Sequence, residues 1–185
     1  MDNTLASPVK PAMKWGLIMG GIYCIITFVS YYLGNFQPEN AEAPAAKVMA
    51  YGMYAVMIFL LVVGMQQHRD NDLGGYMTYG RGLGFGALTG LFYGIVAAIL
   101  LLIVYTWLVP ADYFDRVMEI AMEKAREKNP DMTEEQMQMG MKVAKFFMNP
   151  PILAITALIT GVVSCFFFSL LVSALVKKSN PNDII

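Results

Sequence analysis

The chain has 185 residues, 57% of them hydrophobic and 15% charged, and a formal net charge of −1. A soluble domain carries about 25% charged residues, so this composition excludes an ordinary soluble globular fold. The near-zero charge provides no basic field to hold nucleic acid, and no zinc-finger or RNA-binding pattern is present.

Four stretches, 15–33, 48–65, 83–109 and 152–176, contain no Asp, Glu, Lys, Arg or His. Roughly 20 apolar residues in a helix cross a hydrocarbon core of about 30 Å, and a helix satisfies its own backbone groups. The expected fold class is all-α: one polytopic integral membrane domain with these stretches as transmembrane helices. Residues 1–14, polar and containing Pro8 and Pro11, read as an irregular or surface-lying lead. Lys10 and Lys14 before the first run, with Ala41-Glu42-Ala43 after it, superficially resemble a secretory signal. The run is longer than a signal core and Ala41 lies too far beyond Leu33, so a retained helix is expected.

The first helix opens at the interfacial Trp15 and closes at Tyr31, Tyr32 and Gly34. A short connector, 35–47, carries Pro38 and Pro44 before the second helix, which ends at Gln66. The link 66–82 is the most distinctive polar segment, with His68, Arg69, Asp70, Asp72, Tyr79 and Arg81. The third helix is longer than the hydrocarbon is thick. It should tilt or project near Tyr105, Thr106 and Trp107, and Pro110 closes it.

Residues 110–151 read as two amphipathic helices. Phe114, Val117, Met118, Ala121 and Ala125 fall on one face of the first, with charged residues opposite, and Asn129-Pro130 stops it. Thr133 and Gln136 have capping-box spacing, and Met137, Met141, Ala144 and Met148 line one face of the second. The expectation is an amphipathic helical hairpin capping the bundle, its apolar face built from Phe114, Met118, Met137 and Met141.

Four crossings put both termini on one side. Lys10, Lys14, Arg69, Arg81, Lys177 and Lys178 lie tightly against the membrane ends on that side. On the other, most of Lys47, Arg116, Lys124, Arg126, Lys128, Lys142 and Lys145 lie deep in the amphipathic excursion. Charge close to the membrane sets orientation, so the termini are expected in the cytosol.

Small residues recur every fourth position: Ala12, Gly16, Gly20 and Cys24; Gly82, Gly86, Gly90, Gly94 and Ala98; Ala157, Gly161, Cys165, Ser169 and Ser173. In lipid such stripes let helix backbones approach closely, so Gly16, Gly20, Gly82, Gly86, Gly90, Gly94 and Gly161 are expected at packing contacts, within one chain or between copies. The two cysteines, Cys24 and Cys165, are expected to pack as small hydrophobes.

The remaining motifs argue against chemistry. The glycine run 80–86 lacks the Gly-Lys-Ser/Thr ending of a phosphate loop. With His68 as the single histidine, neither a catalytic triad nor a multi-histidine metal site can form in one chain, and His68 with its polar neighbours reads as a solvated helix boundary. No acidic or basic side chain interrupts the four runs, which disfavours a proton-coupled pump. Thr27, Ser30, Thr89, Tyr93, Thr156, Thr160 and Ser164 could line a small pore, but helix hydroxyls commonly bond backbone carbonyls. The many methionines suit an adaptable apolar surface better than a Cu(I) site without Cys or His. Neither cofactor nor metal is expected.

The order of parts is recognisable: Lys14-Trp15-Gly16; His68-Arg69-Asp70 through Gly74-Gly75-Tyr76-Met77-Thr78-Tyr79-Gly80; then Thr133-Glu134-Glu135-Gln136 and Phe146-Phe147-Met148-Asn149-Pro150. Over nearly the whole chain it resembles a family of uncharacterised bacterial proteins with four predicted membrane helices, a domain of unknown function. The resemblance implies the bacterial inner membrane and brings no activity with it. The expected role is non-enzymatic, a structural or interaction module, with Arg69, Asp70, Tyr79 and Arg81 as candidate contacts to lipid headgroups or a partner. Expected partners are membrane lipid, a membrane or periplasmic protein, or further copies of the chain, and not nucleic acid. The alternative class is a small oligomeric transporter or channel. For the topology, Met132→Cys should react with a membrane-impermeant maleimide in intact cells; labelling only after permeabilisation would reverse the orientation.

Overall fold

A computed structural model describes residues 6–35, 37–40 and 43–179. Its six α-helices are, in chain order, α1 Val9–Tyr32, α2 Pro44–Gln67, α3 Tyr79–Ile103, α4 Tyr113–Lys128, α5 Glu134–Phe147 and α6 Pro150–Val176. A 3₁₀ turn, Pro38–Asn40, lies between α1 and α2, and π-helical turns extend α2 over His68–Asp72 and α3 over Val104–Leu108. With those extensions, α1, α2, α3 and α6 are long and apolar enough to cross a membrane. Their outward side chains are large and apolar, with Ile25 65% and Leu175 81% exposed.

Several helices start earlier than the apolar runs suggest. The supposed lead is helical from Val9, and Ala12 is fully buried. Pro11 falls in the first turn, where backbone N–H groups have no helical acceptor, so a proline there costs little. Residues 1–5 of the lead lie outside the described residues. Likewise Pro44 opens α2 and Pro150 opens α6 from the first helical position, which the fixed φ of proline suits.

The helix α3 is central. One face carries Gly82, Gly86, Gly90 and Gly94 against α6, where they meet Ser173, Ser169, Gly161 and Leu158 in turn. A Cβ at Gly90 would lie 2.7 Å from the Gly161 carbonyl oxygen and 2.9 Å from Val162 Cα; one on Gly161 would lie 2.9 Å from Gly94 Cα. These are backbone-to-backbone contacts that only glycine permits. The opposite face of α3 offers bulk to the glycines of α1: Phe92 closes on Gly16, and Val96 on Gly20. Between the seams, Cys165 is buried with its Sγ 3.9 Å from Met19 Sδ. Helix α2 packs on α1 and α6, its buried Met53, Met57, Leu60 and Leu61 joining the same core.

The termini of the four long helices alternate. At one end Lys14 Nζ donates to Gln67 Oε1 at 3.0 Å, and at the other Tyr31 Oη donates to the Leu108 carbonyl at 3.1 Å. The seam yields a contrast within one helix. Gly90→Ile should destabilise the protein in detergent by about 3 kcal/mol, the upper part of the range for overpacking a tight contact. Gly84→Ile, where a Cβ meets nothing within 4 Å, should lie near wild type in the same denaturation series. Equal effects would remove the seam from its central role.

Candidate functional site

The polar segment between α2 and α3 is more ordered than a solvated link. His68 continues the buried face of α2, at i+7 from Leu61 and i+4 from Gly64, just where a π turn begins; it is fully buried and stacked on Phe85 with ring centroids 5.6 Å apart. This corrects the expectation of a solvated boundary at His68. Its Nδ1 lies 2.7 Å from Asp72 Oδ2, one turn on, while its Nε2 has no hydrogen-bond partner among the described residues. Trp15 belongs to the same aromatic cluster, since Trp15 and Phe85 both close on Gly64; its Nε1 is also buried without a partner among the described residues.

Arg69 points the other way and ties α2 to α6. Its Nη1 donates to the Val176 carbonyl at 2.9 Å, satisfying an orphan acceptor at the C-terminal end of α6, where the helix dipole favours a cation. Its Nε and Nη2 donate to the two oxygens of Asp70 at 2.7 and 3.0 Å, a bidentate pair that fixes the guanidinium plane. The chain then reverses through Gly74 and Gly75, both at positive φ, and Gly75 N donates to the Arg69 carbonyl at 2.9 Å. Met77 and Lys178 exchange two backbone hydrogen bonds of 3.0 Å, an isolated antiparallel bridge. Thr78 caps α3 by accepting from Arg81 N.

The four candidate contact residues thus do not gather into one pocket. Arg69 and Asp70 pair with each other, Tyr79 Oη donates to the Leu170 carbonyl at 3.2 Å, and Arg81 donates to the Ala6 carbonyl. Each cationic side chain meets a backbone carbonyl. What this end offers chemically is a brace between α2, α3 and α6 whose exposed charged side chains include Asp70, Asp72 and Lys178.

At the opposite end, Arg116 of α4 pairs with Glu39 at 3.5 Å across to the 3₁₀ turn. Phe114 packs on Tyr105 and Tyr113 with centroids 5.4 and 5.3 Å away. Met118, Met137 and Met141 line a common cleft of about 210 Å³ between α4 and α5, and Arg126 Nε donates to Met137 Sδ at 3.4 Å. Thr133 and Gln136 form the full capping box, with bonds of 3.3 and 3.1 Å. Sequence reasoning missed the other side of α5, where Met139, Val143, Phe146 and Phe147 are 69, 53, 62 and 53% exposed. Their spacing of four, three and one was the available signal, hidden beside the methionine stripe. A third feature is a cleft of about 360 Å³ bordered by α1, α2, α3 and α6, to which Thr156, Thr160, Ser164 and Tyr93 contribute.

The family model described as protein of unknown function, DUF4199, matches residues 14–178, and the chain belongs to that family. No curated protein and no solved structure matches significantly.

Arg69→Gln should release the end of α6, costing roughly 1–3 kcal/mol as a charge-assisted bond is lost. Amide exchange at Met77 and Lys178 should accelerate about tenfold if the loss is near the lower end of that range. Asp70→Asn removes only an exposed ion pair and should leave exchange at Met77 and Lys178 close to the wild-type rate. A larger effect from Asp70→Asn than from Arg69→Gln would show that the carbonyl contact is not what matters.

Proposed function

We propose that the chain is a multi-pass protein of the bacterial inner membrane that acts without catalysis, as a structural or interaction module. Both termini face the cytosol in this reading, and α4 and α5 form an amphipathic helical hairpin on the opposite face. The observation that carries it is the second apolar stripe of α5. One face of α5 turns to α4, and the other presents Met139, Val143, Phe146 and Phe147 outside the four apolar spans. Exposed apolar groups gathered on one helix face mark a contact surface. Two phenylalanines and a methionine supply the aromatic and adaptable side chains enriched in interface cores.

A protein partner fits this stripe better than an anionic bilayer. Glu134 and Glu135 open α5, and α4 adds Asp115, Glu119, Glu123 and Glu127, so the polar surround is as acidic as it is basic and gains little from anionic headgroups. A small transporter or channel made of several copies is the second reading, favoured by the hydroxyls that line the cleft between α2 and α6.

The test is extraction into lipid discs, followed by mass measurement of the assembly. Wild type should retain a stoichiometric protein, and Val143→Glu with Phe146→Glu should lose it at unchanged thermal midpoint. A wild-type protein emerging alone, or as a symmetric oligomer, would move the assignment to the transporter class.

A further inference from the structure

Helix α2 meets α3 closely near its C-terminal end, where Gly64 touches Phe85 and His68 stacks on the same ring. Towards its N-terminal half a cleft separates them, with Ala50, Met53, Tyr54 and Met57 on one wall and Tyr93, Ala97 and Leu101 on another. The third wall is a row of hydroxyls on α6, Thr156, Thr160 and Ser164, spaced one turn apart.

The state of its hydroxyls separates this cleft from ordinary packing. Other helix hydroxyls have partners: Thr89 donates to the Phe85 carbonyl at 2.9 Å, Ser169 to the Phe166 carbonyl at 2.6 Å, and Ser30 and Ser173 to the sulfurs of Met49 and Met65 at 3.1 and 3.7 Å. The hydroxyls of Tyr54, Tyr93, Thr156, Thr160 and Ser164 have no hydrogen-bond partner among the described residues. Tyr93 lines the cleft although the residue as a whole is only 8% exposed. None of the five is sealed in the interior, and Tyr54, Thr156 and Thr160 are exposed, so in a bilayer these hydroxyls meet lipid rather than water, where an unmatched hydroxyl is costly.

We propose that this cleft binds a neutral, membrane-dissolved quinone, an inference resting on the four long helices spanning a bilayer. No charged side chain lines the cleft, so an ionic headgroup would find no counter-charge. Every unmatched group is a hydroxyl, able to donate as well as to accept, and the two carbonyls of a quinone ring would take up those donors. Tyr23 and Tyr93, packed edge to face at 5.7 Å, and Tyr54 provide flat walls for a ring. The volume of about 360 Å³ lies at the small end for ligand sites, enough for one ring headgroup rather than a whole phospholipid. Tyr54, Thr156 and Thr160 are also exposed at the surface, so the cleft opens sideways, and an isoprenoid tail can leave between α2 and α6.

The test uses the full chain in lipid discs and an azido-quinone carrying a short isoprenoid tail, with light-induced labelling mapped by peptide mass. Labelling should concentrate on 50–57 and 153–164 and be competed by the unmodified quinone. Each hydrogen bond removed should lower labelling about fivefold, so Tyr93→Phe is a single-step loss and Thr156→Val with Thr160→Val a larger one. Both variants keep shape, and their thermal midpoints should match wild type. Label scattered over Ile25, Phe59 and Leu171 in proportion to exposure, or undiminished in both variants, would mean that an acyl chain fills the cleft and would overturn the site. A chain that does not remain in the discs would count against the membrane reading itself, and the site with it.

Discussion

The contact on which the rest of the bundle depends is the backbone approach of α3 to α6. In a bilayer, apolar burial between helices gives no net drive, because lipid tails are as apolar as leucine. What remains is dispersion at close range, and it falls off steeply with a gap of even about half an ångström. Glycines at 82, 86, 90 and 94 bring the backbone of α3 against that of α6 over four successive turns. Each costs about 1 kcal/mol in helix propensity relative to alanine, so the seam must return more than that in contact. The same helix turns bulk, Phe92 and Val96, toward the glycines of α1. Helix α3 is therefore a two-sided template, smooth on one face and ridged on the other, and its neighbours are cut to match.

That template explains why the two ends of the bundle differ. At the α2–α3 junction, the π turn, the Arg69 bond to Val176 and the Met77–Lys178 bridge bind α2, α3 and α6 together within a few residues. At the far end α1 is tied to the extension of α3 by the Tyr31 hydroxyl on the Leu108 carbonyl, and α4 to the 3₁₀ turn by Arg116 and Glu39, and neither of these ties reaches α2. The helix without a glycine seam to α3 is α2, and it is α2 that stands away from α3 at the cleft. A bundle held by one rigid seam and one polar brace has room for a site only on the side that neither secures.

Much of this is legible in the chain. Uninterrupted apolar runs fix which segments can span a bilayer, and small residues four apart mark the faces that pack, because both properties belong to single helices. Three features are not. Pro8 and Pro11 suggest an irregular lead, although a proline in a first helical turn forfeits no bond. The polar neighbours of His68 suggest a wet boundary, yet His68 continues the buried stripe of Leu61, Gly64 and Met65 at i+7, i+4 and i+3; the run of hydrogen-bonding side chains around it hides that periodicity. Thr156, Thr160 and Ser164 suggest self-bonding like that of Ser169, whereas the cleft they border exists because of where α2 stands, a relation between helices that sequence spacing does not encode.

The distribution of charge bears on what kind of recognition this molecule can support. The four long helices carry none within their apolar runs, so the polar work falls to their ends. On α4 the acids Asp115, Glu119, Glu123 and Glu127 are balanced by Arg116, Lys124, Arg126 and Lys128, and on α5 Glu134 and Glu135 by Lys142 and Lys145. A surface so balanced generates no far-reaching field, and long-range steering of a charged partner is correspondingly weak. Selectivity at that end must come from short-range fit to the methionine and phenylalanine side chains. Methionine is suited to that, because its unbranched, polarizable thioether repacks at low cost against differing shapes. The seam between α3 and α6 meets backbone at Gly90, Gly94 and Gly161 and so resists any added side chain there, which divides rigidity and adaptability between the core and the excursion.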